Sequence, residues 1–208
     1  FSHDVSAIVQ KGAVTAGEGL DVSALSRRVE SSVVTKAGHI PATSTFGLGG
    51  AVAVHIASVR NEARLKSAAR YALEGAVNVE AAIGHGMFET IGDASGKRVR
   101  KALALGPIDI PLIDMPTYRA DSVGVGAGIA VGVIGVDVSA VVEDNVNFNN
   151  QKKLNSLRVA AAFSGTEELR AAAGASGGIS ATPVAATDIS GVMVEAYLGK
   201  SGETAQTL

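Results

Sequence analysis

The sequence predicts an all-β fold of the stacked-coil (solenoid) type, with a loop insert and one or two short helices. Three observations predict it. Glycine-led apolar strands recur along the chain, apolar and polar residues alternate with a period of two, and the apolar bulk is Ala and Val instead of Leu and Phe. The chain opens on Phe1, with no Met before it, so residues 1–208 are read as a single segment of a larger protein.

Composition sets the shape of the interior. Aromatic residues make up 4%, Trp is absent and Gly is present 25 times. Large side chains fill wide cores because they bury the most area, so a chain poor in them needs a narrow interior with backbones close together. Charged residues are 18% of the chain, against roughly 25% in ordinary globular proteins, and the formal net charge is −2. That balance offers no general attraction to nucleic acid or anionic lipid. With no Cys, disulfides, thiol catalysis and Cys-based metal sites are excluded. The longest apolar stretch, Val123 to Val138, is broken by five glycines and Asp137 and falls short of a membrane span, so no membrane insertion is expected.

The recurrence is read in order along the chain. Asp4-Val5-Ser6-Ala7 opens a first partial copy, followed by the turn signal Thr15 to Gly19 and the strand Leu20-Asp21-Val22-Ser23-Ala24. In the second copy, Gly49-Gly50-Ala51-Val52-Ala53-Val54-His55-Ile56 leads to Ala63, then to Gly75 and the strand Val77-Asn78-Val79-Glu80-Ala81. The third, Gly126 to Val133, matches the second at an offset of 77 residues, pairing Ala53 with Ala130 and Ala63 with Ala140. Asp137-Val138-Ser139-Ala140 repeats the tetrapeptide of the first copy, and Gly178 to Ala196 reads as a fourth, degenerate one. Each copy has one apolar face and nothing to bury it against. Stacking the copies closes a continuous core.

Three stretches break this rhythm. Residues 62–76 place Leu65, Ala68, Ala69, Ala72, Leu73 and Ala76 at helical spacing, leaving helix and strand both open there. Ser164 and Glu167 have capping-box spacing before Ala171–Ala173, and Gly174 stands where a C-terminal glycine belongs, which predicts a helix over 164–174. Residues 86–122 have no counterpart in the other copies and carry Pro107, Pro111 and Pro116, so they are read as a loop insertion.

Gly47-Leu48-Gly49-Gly50 with the Ala-Val-Ala-Val strand Ala51–Val54, Ala63 downstream and Val77-Asn78-Val79-Glu80-Ala81, resembles a known repeat. It is similar to the repeats of giant bacterial haemagglutinin/leukotoxin-like exoproteins and related surface adhesins. The resemblance covers about two-thirds of the chain and omits the proline-rich insert. It implies a parallel β-helix, export from the cell, an extracellular or cell-surface location and contiguous repeats of the same long chain as neighbours. It supplies no catalytic residues.

Chemical motifs are sparse. Gly174-Ala175-Ser176-Gly177-Gly178 has the letters of a hydrolase elbow, but that chemistry needs a strand before the serine and a helix after it, the reverse of the order read here. The pairs Gly47/Gly49 and Gly124/Gly126 lack the third glycine of a dinucleotide loop and are read as corners between strands. His3, His39, His55 and His85 have no zinc-type spacing, and alternation turns His55 outward. No metal or cofactor is therefore expected. The candidate ligand-contact residues all fall in the insert. Lys97, Arg98, Arg100 and Lys101 form the one basic cluster, and Asp109 and Asp114 could pair as acid and base.

The expected function is structural and adhesive: a non-enzymatic segment of an exported bacterial surface protein that presents loops to a host surface or glycan. Two alternatives stand beside it. One is a polysaccharide lyase or hydrolase on the same scaffold, using Asp109, Asp114 and Lys97 or Arg98. The other is a mixed α/β oligomer-forming binding protein, favoured if 62–76 is helical.

Overall fold

The computed structural model describes residues 1–37, 46–94, 123–148, 154–175 and 178–199. Every element in them is a strand: β1 (Ser2–Val9), β2 (Gly12–Ala16), β3 (Gly19–Ser26), β4 (Val29–Lys36), β5 (Phe46–Leu65), β6 (Ala69–Leu73), β7 (Gly75–Ala94), β8 (Val123–Val142), β9 (Leu154–Ala173), β10 (Ile179–Ala181) and β11 (Val184–Leu198). All pairings are parallel. The protein is all-β, built of parallel sheets.

One sheet runs β1-β5-β8, with β10 and β11 end to end along the far edge of β8. A second, small sheet pairs β2 with β6. In the third, β3 and β4 share one edge of β7, and β9 takes the other. Among the described residues, no strand pairs with its neighbour in sequence. Ala7 lies opposite Ala63, Ala63 opposite Ala140, and Ala140 opposite Ala196. Ala53 lies opposite Ala130, and Ala24 opposite Ala81.

The alternation in sequence fixes which side of each strand is covered. On β5, Ala51, Ala53, His55, Ala57, Val59, Asn61, Ala63 and Leu65 point inward and are buried. Leu48, Val52, Val54, Ile56, Ser58 and Arg60 point out. Because successive side chains of a strand face opposite ways, a one-residue slip would exchange the two rows.

The core is a wedge. At its broad side Leu65, Tyr71, Leu73, Val77, Val79, Ile83, Val136 and Val138 pack together, and Tyr71 meets Phe148 at a ring-centroid distance of 5.7 Å. Toward the starts of β5 and β8 the first and third sheets converge until only backbone separates them. A Cβ on Gly128 would lie 2.1 Å from the Ala172 carbonyl oxygen, and one on Gly126 would lie 2.2 Å from that of Gly174. Glycine is required at both places because the backbone of β9 occupies the space of a side chain. True corners use glycine differently. Gly75 begins β7 with φ 84°, a left-handed conformation costly for other residues.

The structure corrects several expectations. Residues 62–76 end β5, turn at Ser67 and Ala68, and form β6. The helix expected over 164–174 is strand, since β9 runs to Ala173. No short helix exists among the described residues. The physical reason is the same in both places: pairing with a strand more than fifty residues away satisfies the backbone over its whole length, and this outweighs a local helical preference. Gly86–Ala94, expected to open the loop insertion, instead complete β7 against β4 and β9. The remainder of that insertion, 95–122, lies outside the described residues. Gly47, Gly49, Gly124 and Gly126 are not corners; they sit inside β5 and β8, paired as Gly47 with Gly124 and Gly49 with Gly126.

Candidate functional site

The sequence-derived contact residues Lys97, Arg98, Arg100, Lys101, Asp109 and Asp114 lie outside the described residues. Among the described residues, two places concentrate polar chemistry. One is inside the wedge and the other is at its outer corner.

The interior group centres on His55. Alternation was expected to turn this side chain outward, but it points into the core at 1% exposure. The parity was misread because the row that faces solvent on β5, Leu48-Val52-Val54-Ile56, is itself apolar. The His55 ring contacts Ser31 Oγ through Nε2 at 2.7 Å and Thr90 Oγ1 through Nδ1 at 3.1 Å. Burial lowers the His55 pKa and favours the neutral ring. Neutral imidazole has one donor and one acceptor nitrogen, and the two hydroxyls satisfy both.

A serine 2.7 Å from a histidine has the spacing of a nucleophile and its base. Two features argue against that role. The ring is shut off from solvent, and the third partner is a neutral hydroxyl where a carboxylate would be needed to steady an imidazolium. The group holds β4, β5 and β7 together.

Asn61, further along β5, ties that strand to β3 and β7. Its two amide N–H groups are shared among Ala82 O at 2.8 Å, Ser26 Oγ at 3.0 Å and Ala24 O at 3.2 Å, while Ser26 also meets His3 Nε2 at 3.0 Å.

The outer corner is an open cleft of about 420 Å³ where β5, β8 and β11 end. Arg64, Val141 and Tyr197 occupy one register row on these three strands. Val141 is the buried floor, with the guanidinium of Arg64 on one side and the Tyr197 ring on the other. Ser67, Glu143, Asp144, Asn145 and Gly199 complete the rim. Asn145 has φ 60°, a conformation that Asn tolerates better than most residues and that turns the chain sharply after β8.

Charges on the rim are tied to one another. Glu62 sits between Arg60 at 2.7 Å and Arg64 at 2.6 Å. Arg64 reaches Glu143 at 3.4 Å, and the Ser67 amide donates to the other Glu143 oxygen at 3.2 Å. The Arg64–Glu62 contact is an ion pair without the alignment of a hydrogen bond, which leaves the buried Arg64 Nε without one. Behind the cleft, burial and then the Glu143 carboxylate raise the Tyr71 phenol pKa, and the phenol donates to Lys66 O at 3.0 Å.

An aromatic face, an apolar floor and a ring of hydrogen-bonding groups can seat a small hydroxyl-bearing molecule. Sequence reasoning passed over this corner because its residues belong to strands far apart in the chain. Only the equivalence of Ala63, Ala140 and Ala196 would have placed Arg64, Val141 and Tyr197 side by side.

Among the described residues, no three His, Asp or Glu side chains converge as metal ligands. Compared with known proteins, the chain matches no family model, no curated sequence and no solved structure.

Proposed function

We propose that this chain is a structural and adhesive segment: a parallel β-helix (solenoid) from an exported bacterial surface protein, contacting glycans or host surfaces without catalysis. The observation that carries the reading is the inward alanine column Ala7–Ala63–Ala140–Ala196, formed by parallel strands paired in register. Successive passes of one chain, laid parallel with like residues above like, make a stacked scaffold whose length grows with the number of passes. Its narrow wedge explains the excess of Gly, Ala and Val, and its outer surface is free to carry contacts.

Two outer features support a contact role. Leu48, Val52, Val54 and Ile56 line up on β5 with 53–63% of their surface exposed, an apolar stripe of the kind found at interaction sites. The corner cleft offers the Tyr197 ring for stacking on a sugar face, and Glu143, Asp144 and Asn145 for its hydroxyls. The lyase or hydrolase alternative rests on Asp109, Asp114, Lys97 and Arg98, and no described geometry favours it. The mixed α/β alternative loses its premise, since 62–76 is strand.

The test is binding of the labelled chain to a panel of immobilised neutral and acidic glycans, with Tyr197→Ala and Asn145→Ala as variants. The proposal expects retention on a subset of glycans and at least tenfold weaker retention of Tyr197→Ala, with an unchanged circular dichroism spectrum. Release of unsaturated or shortened sugar products by the chain would overturn the non-catalytic reading. Retention equal for all variants would remove the cleft from it.

A further inference from the structure

We infer that the corner cleft selects glycans with a free amino group, taking the ammonium of an amino-sugar residue in preference to an acidic or uncharged sugar. The inference rests on the contact reading above and names the ligand class of its cleft.

The first observation is the balance of charge at the rim. Among the described lining residues the cleft has one cation, Arg64, and two carboxylates, Glu143 and Asp144. The cation is already claimed. Its Nη1 lies 3.4 Å from Glu143, and its Nε lies 2.6 Å from the buried Glu62. Beyond the rim, Arg60 is held in turn by Glu62 at 2.7 Å and by Asp137 at 3.8 Å. An entering carboxylate therefore has no positive charge to itself and meets two groups of its own sign, whereas an ammonium is attracted by Glu143 and Asp144. The same potential reaches behind the cleft, where burial and then Glu143 raise the Tyr71 pKa.

The second observation is that the walls suit a sugar carrying such a cation. Tyr197 borders the cleft beside the buried Val141 floor, and the negative face of an aromatic ring attracts an ammonium while packing on the apolar face of a sugar. Asn145 and Ser67 bring amide and hydroxyl groups to the rim for the neighbouring sugar hydroxyls. The open cleft of about 420 Å³ has room for a short stretch of a glycan that continues beyond it.

The floor is independent of the outermost strands. At Val141, β8 is paired with β5 on one side and with β11 on the other, so further passes beyond β1 or β11 leave Val141 and the turn at Glu143–Asn145 in place.

The test is calorimetric titration of the full 208-residue chain with short β-linked oligomers of glucosamine, N-acetylglucosamine and galacturonate, below neutral pH so that the free amine is charged. Two partly exposed ion pairs and a cation–π contact together favour the glucosamine oligomer over its acetylated counterpart by about tenfold. High salt should remove most of that preference, and the galacturonate oligomer should bind weakest. Glu143→Gln with Asp144→Asn should bring the two amino-sugar oligomers to within about twofold of each other and strengthen galacturonate binding, because Arg64 loses a carboxylate. Asp144→Asn alone, which leaves the Arg64–Glu143 contact intact, should reduce the preference part of the way. Tyr197→Ala should weaken both amino-sugar oligomers. Equal binding of the two oligomers, still dependent on Tyr197, overturns the ammonium preference and leaves the contact reading standing. Tighter binding of galacturonate by the parent does the same. A lysine peptide that binds as tightly as the glucosamine oligomer would mean that charge alone is recognised, and it overturns the inference. Absence of binding to every one of these sugars overturns the inference and removes the cleft from the contact reading.

Discussion

Replacing Gly128 by alanine should cost the protein about as much stability as truncating one large buried side chain. The Cβ would stand 2.1 Å from Ala172 O, 2.7 Å from its carbonyl carbon and 3.0 Å from its nitrogen. All three are backbone atoms of a paired strand, so none can rotate away. Relief to an ordinary contact distance requires the first and third sheets to part by more than about 1 Å, against the close packing of protein interiors. Overpacking of this kind costs about 3 kcal/mol. For a chain of this size that lowers the melting temperature by about 6–12 °C.

Gly135→Ala is the matched comparison. Gly135 lies on the same strand, exposed, and the nearest atom to its added Cβ is Ala57 O at 4.0 Å. There alanine should stabilise by about 0.5 kcal/mol, because it reduces the freedom of the unfolded chain. Urea unfolding of the two variants beside the parent gives both values. Equal effects, or a loss at Gly135 and none at Gly128, would refute the convergence of the sheets.

Other consequences are equally direct. Asn61→Leu removes the buried amide shared by Ala24 O, Ala82 O and Ser26 Oγ and should destabilise by about 2 kcal/mol in urea titrations. His55 has a folded pKa below the ordinary histidine value, so its contribution to stability is present above that value and is lost as pH falls toward the folded pKa. Midpoints of urea unfolding measured from pH 8 to pH 5 should decline for the parent and decline less for His55→Gln. Tyr71, with a raised pKa, contributes stability below the ordinary phenol value that is lost as pH rises through the folded one. Absorbance at the tyrosinate band should show one phenol ionising late, and Tyr71→Phe should remove it. Arg158→Ala breaks a 2.8 Å contact to Glu80 at an exposed edge and should cost no more than about 1 kcal/mol, less in high salt.

The sequence was informative where spacing alone determines structure. Alternation placed Val77, Val79 and Ala81 on the buried side of a strand, and the 77-residue offset put Ala53 opposite Ala130. It misled where a residue type has two uses. Ala171–Ala173 read as helix formers, but they end β9, where the backbone of Ala172 fills the space left by the missing side chain of Gly128. Gly124 and Gly126 read as corners for the same reason: the sequence records that a side chain is missing and does not say what fills its place. His55 was assigned outward because a neighbouring apolar row, Val52-Val54-Ile56, looked like core and is in fact surface. The corner cleft was illegible, since Arg64, Val141 and Tyr197 meet only once three distant strands are in register.

The stacking of one pass of the chain upon another is tested most directly by oxidising the Ser58→Cys, Gly135→Cys variant and weighing the product. In-register strands predict quantitative loss of both thiols within the monomer, while a pair displaced along the strand, Ser58→Cys with Ile129→Cys, stays reduced. A displaced pair that closes as readily as the matched one, or a matched pair that stays open, would contradict the account.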